Sequence, residues 1–231
     1  MKRKIIIAID GASSSGKSSL ARDLAQTLKY QHIDTGSMYR SITLLGIREK
    51  IFNSDLWNQR KFVNFLKKMR LEFQFQWNKT LNETDIILNG ENLRTKIQTD
   101  QINENVAFIS QIPEIRRLLK KIQRKMGLGK GIVIDGRDIG NCVFPESDLK
   151  IFLKGSIEIR SYRKYKFLKK KNRNITFERV KKNIHNRDNI DINRKIDPLK
   201  KSYDHIEIDN TFLNIQEQIK MINQLINEII K

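Results

Sequence analysis

The chain has one cysteine, Cys142, in 231 residues. It can therefore close no internal disulfide, and a reducing cytoplasm is the expected compartment. It also lacks a membrane-length apolar run. The longest clean one, Ile5–Ile9, ends at Asp10 and falls far short of the roughly 20 residues a span requires. Met1-Lys2-Arg3-Lys4 imitates the charged start of a signal peptide, but the run behind it is too short and no small-residue cleavage site follows. Carboxylates are scarce: 26 Asp and Glu stand against 45 Lys and Arg, leaving a net charge of +19. Aromatic residues are few, and the basic stretches lack the aromatic interleaving by which single-strand binders stack bases. The surplus of cations thus keeps three readings: a general enrichment in lysine, the handling of phosphate ligands, or nucleic-acid binding. Internal repeats and low-complexity linkers are absent.

What is present suits a soluble globular protein, with 39% hydrophobic and 31% charged residues and length for one α/β core plus a small insert. Ile5–Ile9 reads as a buried parallel strand, and Gln31–Ile33, Ile132–Ile134, Lys150–Leu153 and His205–Ile208 as further strands. Helical patterns cover Ser18–Lys29, Asp55–Met69, Pro113–Met126 and Glu158–Lys171. A last helix sets Ile215, Ile219, Ile222, Ile226 and Ile229 in register behind Asn214 and Glu217 at capping-box spacing. Leu71–Gln98 departs from this rhythm. It alternates at period two through Trp77, turns at Asn78–Glu83, resumes at Asp85–Leu88 and reaches Asn89-Gly90, a hairpin signal. An antiparallel insert in a parallel-sheet protein is the expectation.

Gly11-Ala12-Ser13-Ser14-Ser15-Gly16-Lys17-Ser18 matches G-x-x-x-x-G-K-[ST], followed by Ser19. It lies between an apolar strand and a helix start, where converging N–H groups and the helix dipole suit a polyphosphate. In such a loop Lys17 reaches the β- and γ-phosphates of ATP, and the Ser18 hydroxyl can ligate Mg²⁺. A P-loop alone does not separate kinases from GTPases or ATPases. The guanine-reading N/T-K-x-D signature is missing from any suitable place, and the chain is short for most ATPase machines. Two further segments, Asp34-Thr35-Gly-Ser-Met-Tyr-Arg40 and Asp135-Gly-Arg137-Asp138, follow strands and so carry arginines and carboxylates to the carboxyl rim of the sheet. Taken singly, either could be a capped turn with a surface ion pair.

These segments, with Pro113-Glu-Ile-Arg116, Arg187-Asp-Asn-Ile-Asp191-Ile-Asn-Arg194 and Asp209-Asn-Thr211, resemble bacterial cytidylate kinase over nearly the whole chain. The resemblance implies a P-loop nucleoside-monophosphate-kinase fold: a parallel sheet flanked by helices, with an antiparallel β insert and a helical lid. One kinase domain would comprise a core at about 1–54, 99–157 and 174–231, a monophosphate-binding insert at about 55–98 and a lid at about 158–173. It implies phosphorylation of CMP and dCMP by ATP with Mg²⁺, in a cytoplasmic monomer with neither nucleic-acid nor membrane partners. Arg40 and Arg137 would hold the acceptor phosphate, with Asp34 and Thr35 beside them. Arg116 and Asp138 would read cytosine, Arg187 and Asp191 hold the ribose hydroxyls, and Arg194 lie near the phosphates. Arg160 and Arg163 resemble lid arginines that close over the transferred group. Ala107 stands where the family has a base-contacting serine, for which Ser110 is a candidate replacement. Ala12 and Ser14 stand where the family commonly has proline and glycine.

The chemistry asks for no general base, because the acceptor phosphate, with a second pKa of about 6, is already largely dianionic at neutral pH. In keeping with this, His32, His185 and His205 lie outside the motifs and read as ordinary surface or packing residues. Other small P-loop kinases, a basic nucleic-acid-binding ATPase and an inactive nucleotide-binding regulator are the competing readings.

Overall fold

A computed structural model describes residues 3–52, 58–170 and 174–230. The chain divides into two compact units, one of Met1–His32 with Gly129–Lys231, the other of Ile33–Leu128. In the first, β1 (Ile6–Gly11) is buried throughout and runs parallel to β6 (Ile132–Gly136) on one side and β7 (Leu149–Lys154) on the other. β8 (Ile206–Asp209) extends the sheet parallel to β7, and β2 (Gln31–Asp34), whose first two residues belong to this unit, lies beyond β6. The chain leaves β1 toward β2 and leaves the adjacent β7 toward β8, so the carboxyl ends of β1 and β7 form a switch point where ligands bind in such sheets. Burial of both faces explains the continuous apolar runs.

Helix α1 (Lys17–Leu28) lays Leu20, Ala21, Leu24 and Ala25 on one face of this sheet, against Ile5, Ile7, Ile9, Ile151 and Leu153. The closing helix α8 (Ile215–Ile230) joins the same core through Ile219, Ile222 and Ile226. Its capping box is formed in both directions: Asn214 Oδ1 accepts from Glu217 N at 3.0 Å, and Glu217 Oε2 accepts from Asn214 N at 2.7 Å. α6 (Ile157–Lys170) and α7 (Phe177–Asn193) pack on each other in this unit. Aromatics do interleave the cations of α6, contrary to the sequence expectation. Lys164, Lys166 and Lys169 sit over the rings of Phe167, Tyr162 and Tyr165 at 5.4–5.8 Å, because i, i+3 and i+4 neighbours share a helix face. These lysines belong to the basic run Lys164–Arg173, whose last three residues lie outside the described residues.

The second unit holds α2 (Thr35–Arg48), α3 (Gln59–Lys68), α4 (Asp100–Ile109) and α5 (Pro113–Met126). The expected start of α3 at Asp55 lies outside the described residues. The antiparallel expectation is met. β3 (Phe73–Asn78) pairs with β4 (Glu83–Leu88), and β4 with the short β5 (Glu91–Asn92), across a two-residue turn. Asn89 and Gly90 have φ of 51° and 83° in that turn, the positive values that this dipeptide favours.

Candidate active site

The loop from Gly11 to Gly16 turns tightly under β7. A Cβ on Gly11 would stand 2.3 Å from Leu153 O, so only glycine lets the strand end pass so closely. Gly16 has φ 91° and is the N-cap of α1, yet it offers no side chain to cap the helix. The first amides of α1 are therefore left without a capping side chain, as an anion site requires. Inside the loop Ser15 Oγ is buried without a hydrogen-bond partner among the described residues, a polar atom suited to a phosphate oxygen. Lys17 Nζ donates to Ala12 O at 2.9 Å. Burial first, then the field of Arg137, lowers its pKa from 10.5 to about 7, with Arg187 pushing the same way and Asp135 and Asp191 opposing.

Asp135, at the end of β6, is buried and accepts from Ser18 Oγ at 2.6 Å, while its other oxygen meets His32 Nε2 at 2.9 Å. Against the cost of burial, His32, then the Lys17 charge and the Ser18 bond, together hold the carboxyl below the usual range. His32 is thus tied to the Asp135 motif, a correction to the reading of all three histidines as lying apart from it. His205 is likewise buried: its Nε2 meets Asp10 Oδ2 at 3.2 Å, and Asp10 accepts the N–H groups of Ile139 and Gly140 at 2.7 Å each. These bonds anchor the π-helical turn Ile139–Val143 that follows Arg137 and Asp138. His185 is exposed, as expected, against Asn189.

Helix α7 presents Asp188 and Asp191 to the interior three residues apart. Asp191 accepts from Arg137 Nε at 2.8 Å and lies 3.5 Å from Arg194, and its carboxyl is held below the usual range by the Arg137, Arg187 and Arg194 charges against the cost of burial. Arg194, almost fully buried, also reaches Asp138 at 3.1 Å and Asp197 O at 2.6 Å. Arg160 and Arg163, one turn apart on α6, take different partners. Arg160 binds Ser13 O and Asp188, whereas Arg163 donates to Asn210 Oδ1 and O at 3.1 and 2.7 Å. Asn210 in turn donates to Ser15 O at 2.7 Å. Both arginines are therefore linked to the loop that starts at Gly11. Ala12, Ser14 and Gly16 of the loop are partly exposed, and Ser18 and Ser19 are exposed.

Asp34, Thr35, Arg40 and Arg116 belong to the second unit. Asp34 caps α2 by accepting from Ser37 N at 3.1 Å, and its second oxygen pairs with Arg40 at 2.8 Å, so the capped turn with an ion pair is present there. Thr35 is buried at the first position of α2. Arg116 is 2% exposed, donates to Ser110 O at 3.2 Å and lies 5.7 Å from the centre of the Tyr39 ring. Ser110, the candidate for the missing serine, donates its hydroxyl to Ala107 O at 2.8 Å at the end of α4. Among residues the sequence did not single out, Asp188, Asn210, His32 and Asp10 touch this site. Asp188 and Asn210 lay inside the quoted segments, which was the available signal.

The family model described as cytidylate kinase matches residues 7–228. The chain belongs to the cytidylate kinase family. A cytidylate kinase of Flavobacterium johnsoniae is 42% identical over 229 residues, covering 99% of each chain. One of Bacteroides thetaiotaomicron is 40% identical over 229 residues, again covering 99% of each. The fold is also shared with a solved structure of an uncharacterized protein from Eubacterium ventriosum, at a TM-score of 0.52 and 13% identity over 98% of this chain and 99% of that one. The cytidylate kinase match runs from the first strand to the last helix, so it takes in the loop around Lys17 and the arginine–carboxylate cluster of α7.

Proposed function

We propose that this chain moves the γ-phosphoryl group of ATP onto CMP, and onto dCMP, giving CDP and dCDP. The observation that carries the reading within the family is the setting of Lys17, whose buried ammonium feels Arg137, Arg187, Asp135 and Asp191 together. Phosphoryl transfer between two phosphates must bring two polyanions into line. A cluster of cations beside open helix N–H groups supplies the charge to do so. Lys17 and the amides at Gly16–Ser18 would hold the ATP phosphates, with Gly11 to Ser19 wrapped about them. Arg137 would take the acceptor phosphate, and Arg187, Asp191 and Arg194 would order the ribose and phosphate side. Arg160 and Arg163 would add charge at the transferred group, where an arginine can contribute about 10³–10⁵ in rate. Asp34, Thr35, Arg40 and Arg116 of the second unit join the acceptor side on the strength of the resemblance.

Ser18 Oγ and the Asp135 carboxylate are hard oxygen donors of the kind Mg²⁺ prefers. They would hold the ion, which when bound neutralises phosphate charge. Base choice falls to Asp138. A carboxylate offers acceptors alone, so it suits the exocyclic amine of cytosine and repels the O4 of uracil. A site of this kind can discriminate by as much as about 10⁴. The single cysteine favours a reducing cytoplasm. Among the described residues no helix is long and apolar enough to cross a membrane. A monomer with small-molecule partners is the working assembly. The decisive experiment is CDP formation from CMP and MgATP, with UMP in parallel. Preference for CMP is expected, and equal rates on both would remove Asp138 from base reading.

A further inference from the structure

The loop segment Ser13 is gripped from both sides. Its N–H donates to Asp188 Oδ1 at 2.8 Å, and its C=O accepts from Arg160 NH1 at 2.9 Å. The same guanidinium nitrogen lies 2.5 Å from Asp188 Oδ2, which closes a ring of three bonds around one residue, Ser13. Arg160 Nε donates to Gly155 O at 2.9 Å, so the guanidinium has little freedom left. All three residues are less than a tenth exposed. Low dielectric strengthens such charge-assisted bonds and fixes their geometry.

We propose that Asp188 is a positioning residue for phosphoryl transfer: its carboxylate locks the Ser13 peptide and the Arg160 guanidinium into one preorganised group. It does so from a helix that also carries Arg187 and Asp191. Arg187 and Asp191 act on Lys17, and Asp191 binds Arg137. A single rigid element thereby sets the loop crown through Asp188 and the arginine cluster through Asp191. Ser14, the next residue of the loop, has a positive φ of 57°. The two oxygens of Asp188 are taken by Ser13 N–H and Arg160 NH1, so its role is to hold Arg160 rather than to react.

This inference rests on the reading of Arg160 as a charge acting at the transferred group. The test is a double-mutant cycle with Asp188→Asn and Arg160→Ala, read as kcat and as KM for ATP and CMP. Asn keeps an oxygen for Ser13 N–H but turns an amide donor toward Arg160. We expect each single variant to lose at least about tenfold in kcat with KM changed by less than about threefold. The double variant should be no worse than Arg160→Ala alone, because residues that act as a unit are not additive. A residue that served stability alone would instead lower the unfolding midpoint and give multiplying losses. Should Asp188→Asn fail to fold, Asp188→Glu, which keeps the charge but displaces it by one methylene, takes its place with the same expectation. Additive losses, or a kcat within about twofold of wild type for the Asp188 variant while Arg160→Ala is impaired, would overturn the proposal. If Arg160→Ala itself left kcat unchanged, the reading of Arg160 would fall, and with it the role of Asp188.

Discussion

The ammonium of Lys17 is the residue most out of balance with its surroundings. With a pKa of about 7 in the unliganded protein, it is mostly neutral at pH 8, and the cause is burial followed by the Arg137 charge. A polyphosphate brought against it restores the charge, so ATP binding should draw a proton from solution. At pH 8 we expect uptake approaching about one proton per nucleotide, read by calorimetry in buffers of different ionisation heat. The uptake should shrink at pH 6 and vanish in Lys17→Met. Unchanged uptake in that variant would place the titrating group elsewhere. The same shift affects stability. The unfolded lysine titrates near 10.5 and the folded one near 7, so between these values the unfolded chain binds more protons and this group makes stability rise with pH. Ser14 is a second residue at odds with its backbone, since φ 57° lies in the left-handed region. A side chain there costs roughly 1–2 kcal/mol, of which glycine's greater unfolded freedom would offset about half. Ser14→Gly should therefore stabilise by about 0.5–1 kcal/mol in urea unfolding. A loss would mean that the hydroxyl makes a bond worth more than the strain.

At the level of elements, α8 was legible at both its start and its core. Isoleucine spacing gave its buried stripe, and Asn214 and Glu217 gave its first turn. Asn214→Ala should cost about 1 kcal/mol, measured as a drop in unfolding free energy with an unchanged denaturant slope. An effect near zero would show that the Ile219–Ile226 packing alone holds this end. Of the three helices the sequence did not delimit, α4 buries only Ile102, Val106 and Ile109, whereas the other two have a common feature. α2 buries Ser37, Ser41 and Thr43, and α7 buries Asp188 and Asp191, so polar residues interrupt the apolar period on the face turned inward. Asp188 and Asp191 bond to Ser13, Arg160 and Arg137 of the candidate site, where local pattern is expected to fail. The Gly11–Ser18 loop and the strand-end arginines were readable because strand–turn–helix context is local. The links of Asp188 to Ser13, Asn210 to Ser15 and His32 to Asp135 were not, since they join positions 175, 195 and 103 residues apart.

Over the whole molecule the dominant fact is the charge of +19. Many of its carboxylates are in ion pairs, so most of the uncompensated cations repel one another across the surface. Salt screens that repulsion, with the Debye length falling from about 30 Å at 0.01 M to about 8 Å at 0.15 M. The melting temperature should therefore rise with sodium chloride over this range, and a fall would show that the surface pairs outweigh the repulsion. Acid turns the same imbalance into unfolding. Glu91 is lowered to about 2 chiefly by its bond to Arg48, and Asp204 to about 2 chiefly by its bond to Lys150. Both folded values lie below the unfolded 4.5 and 3.8. The stability these groups contribute is complete above those values and is lost as pH falls toward 2. Meanwhile every carboxylate that takes a proton moves the net charge from +19 toward +45, before the three histidines are counted. Unfolding should thus begin below about pH 4.5 and shift to lower pH as salt is added. A protein folded at pH 2 in 0.01 M salt would show that its apolar core tolerates more self-repulsion than this charge balance allows.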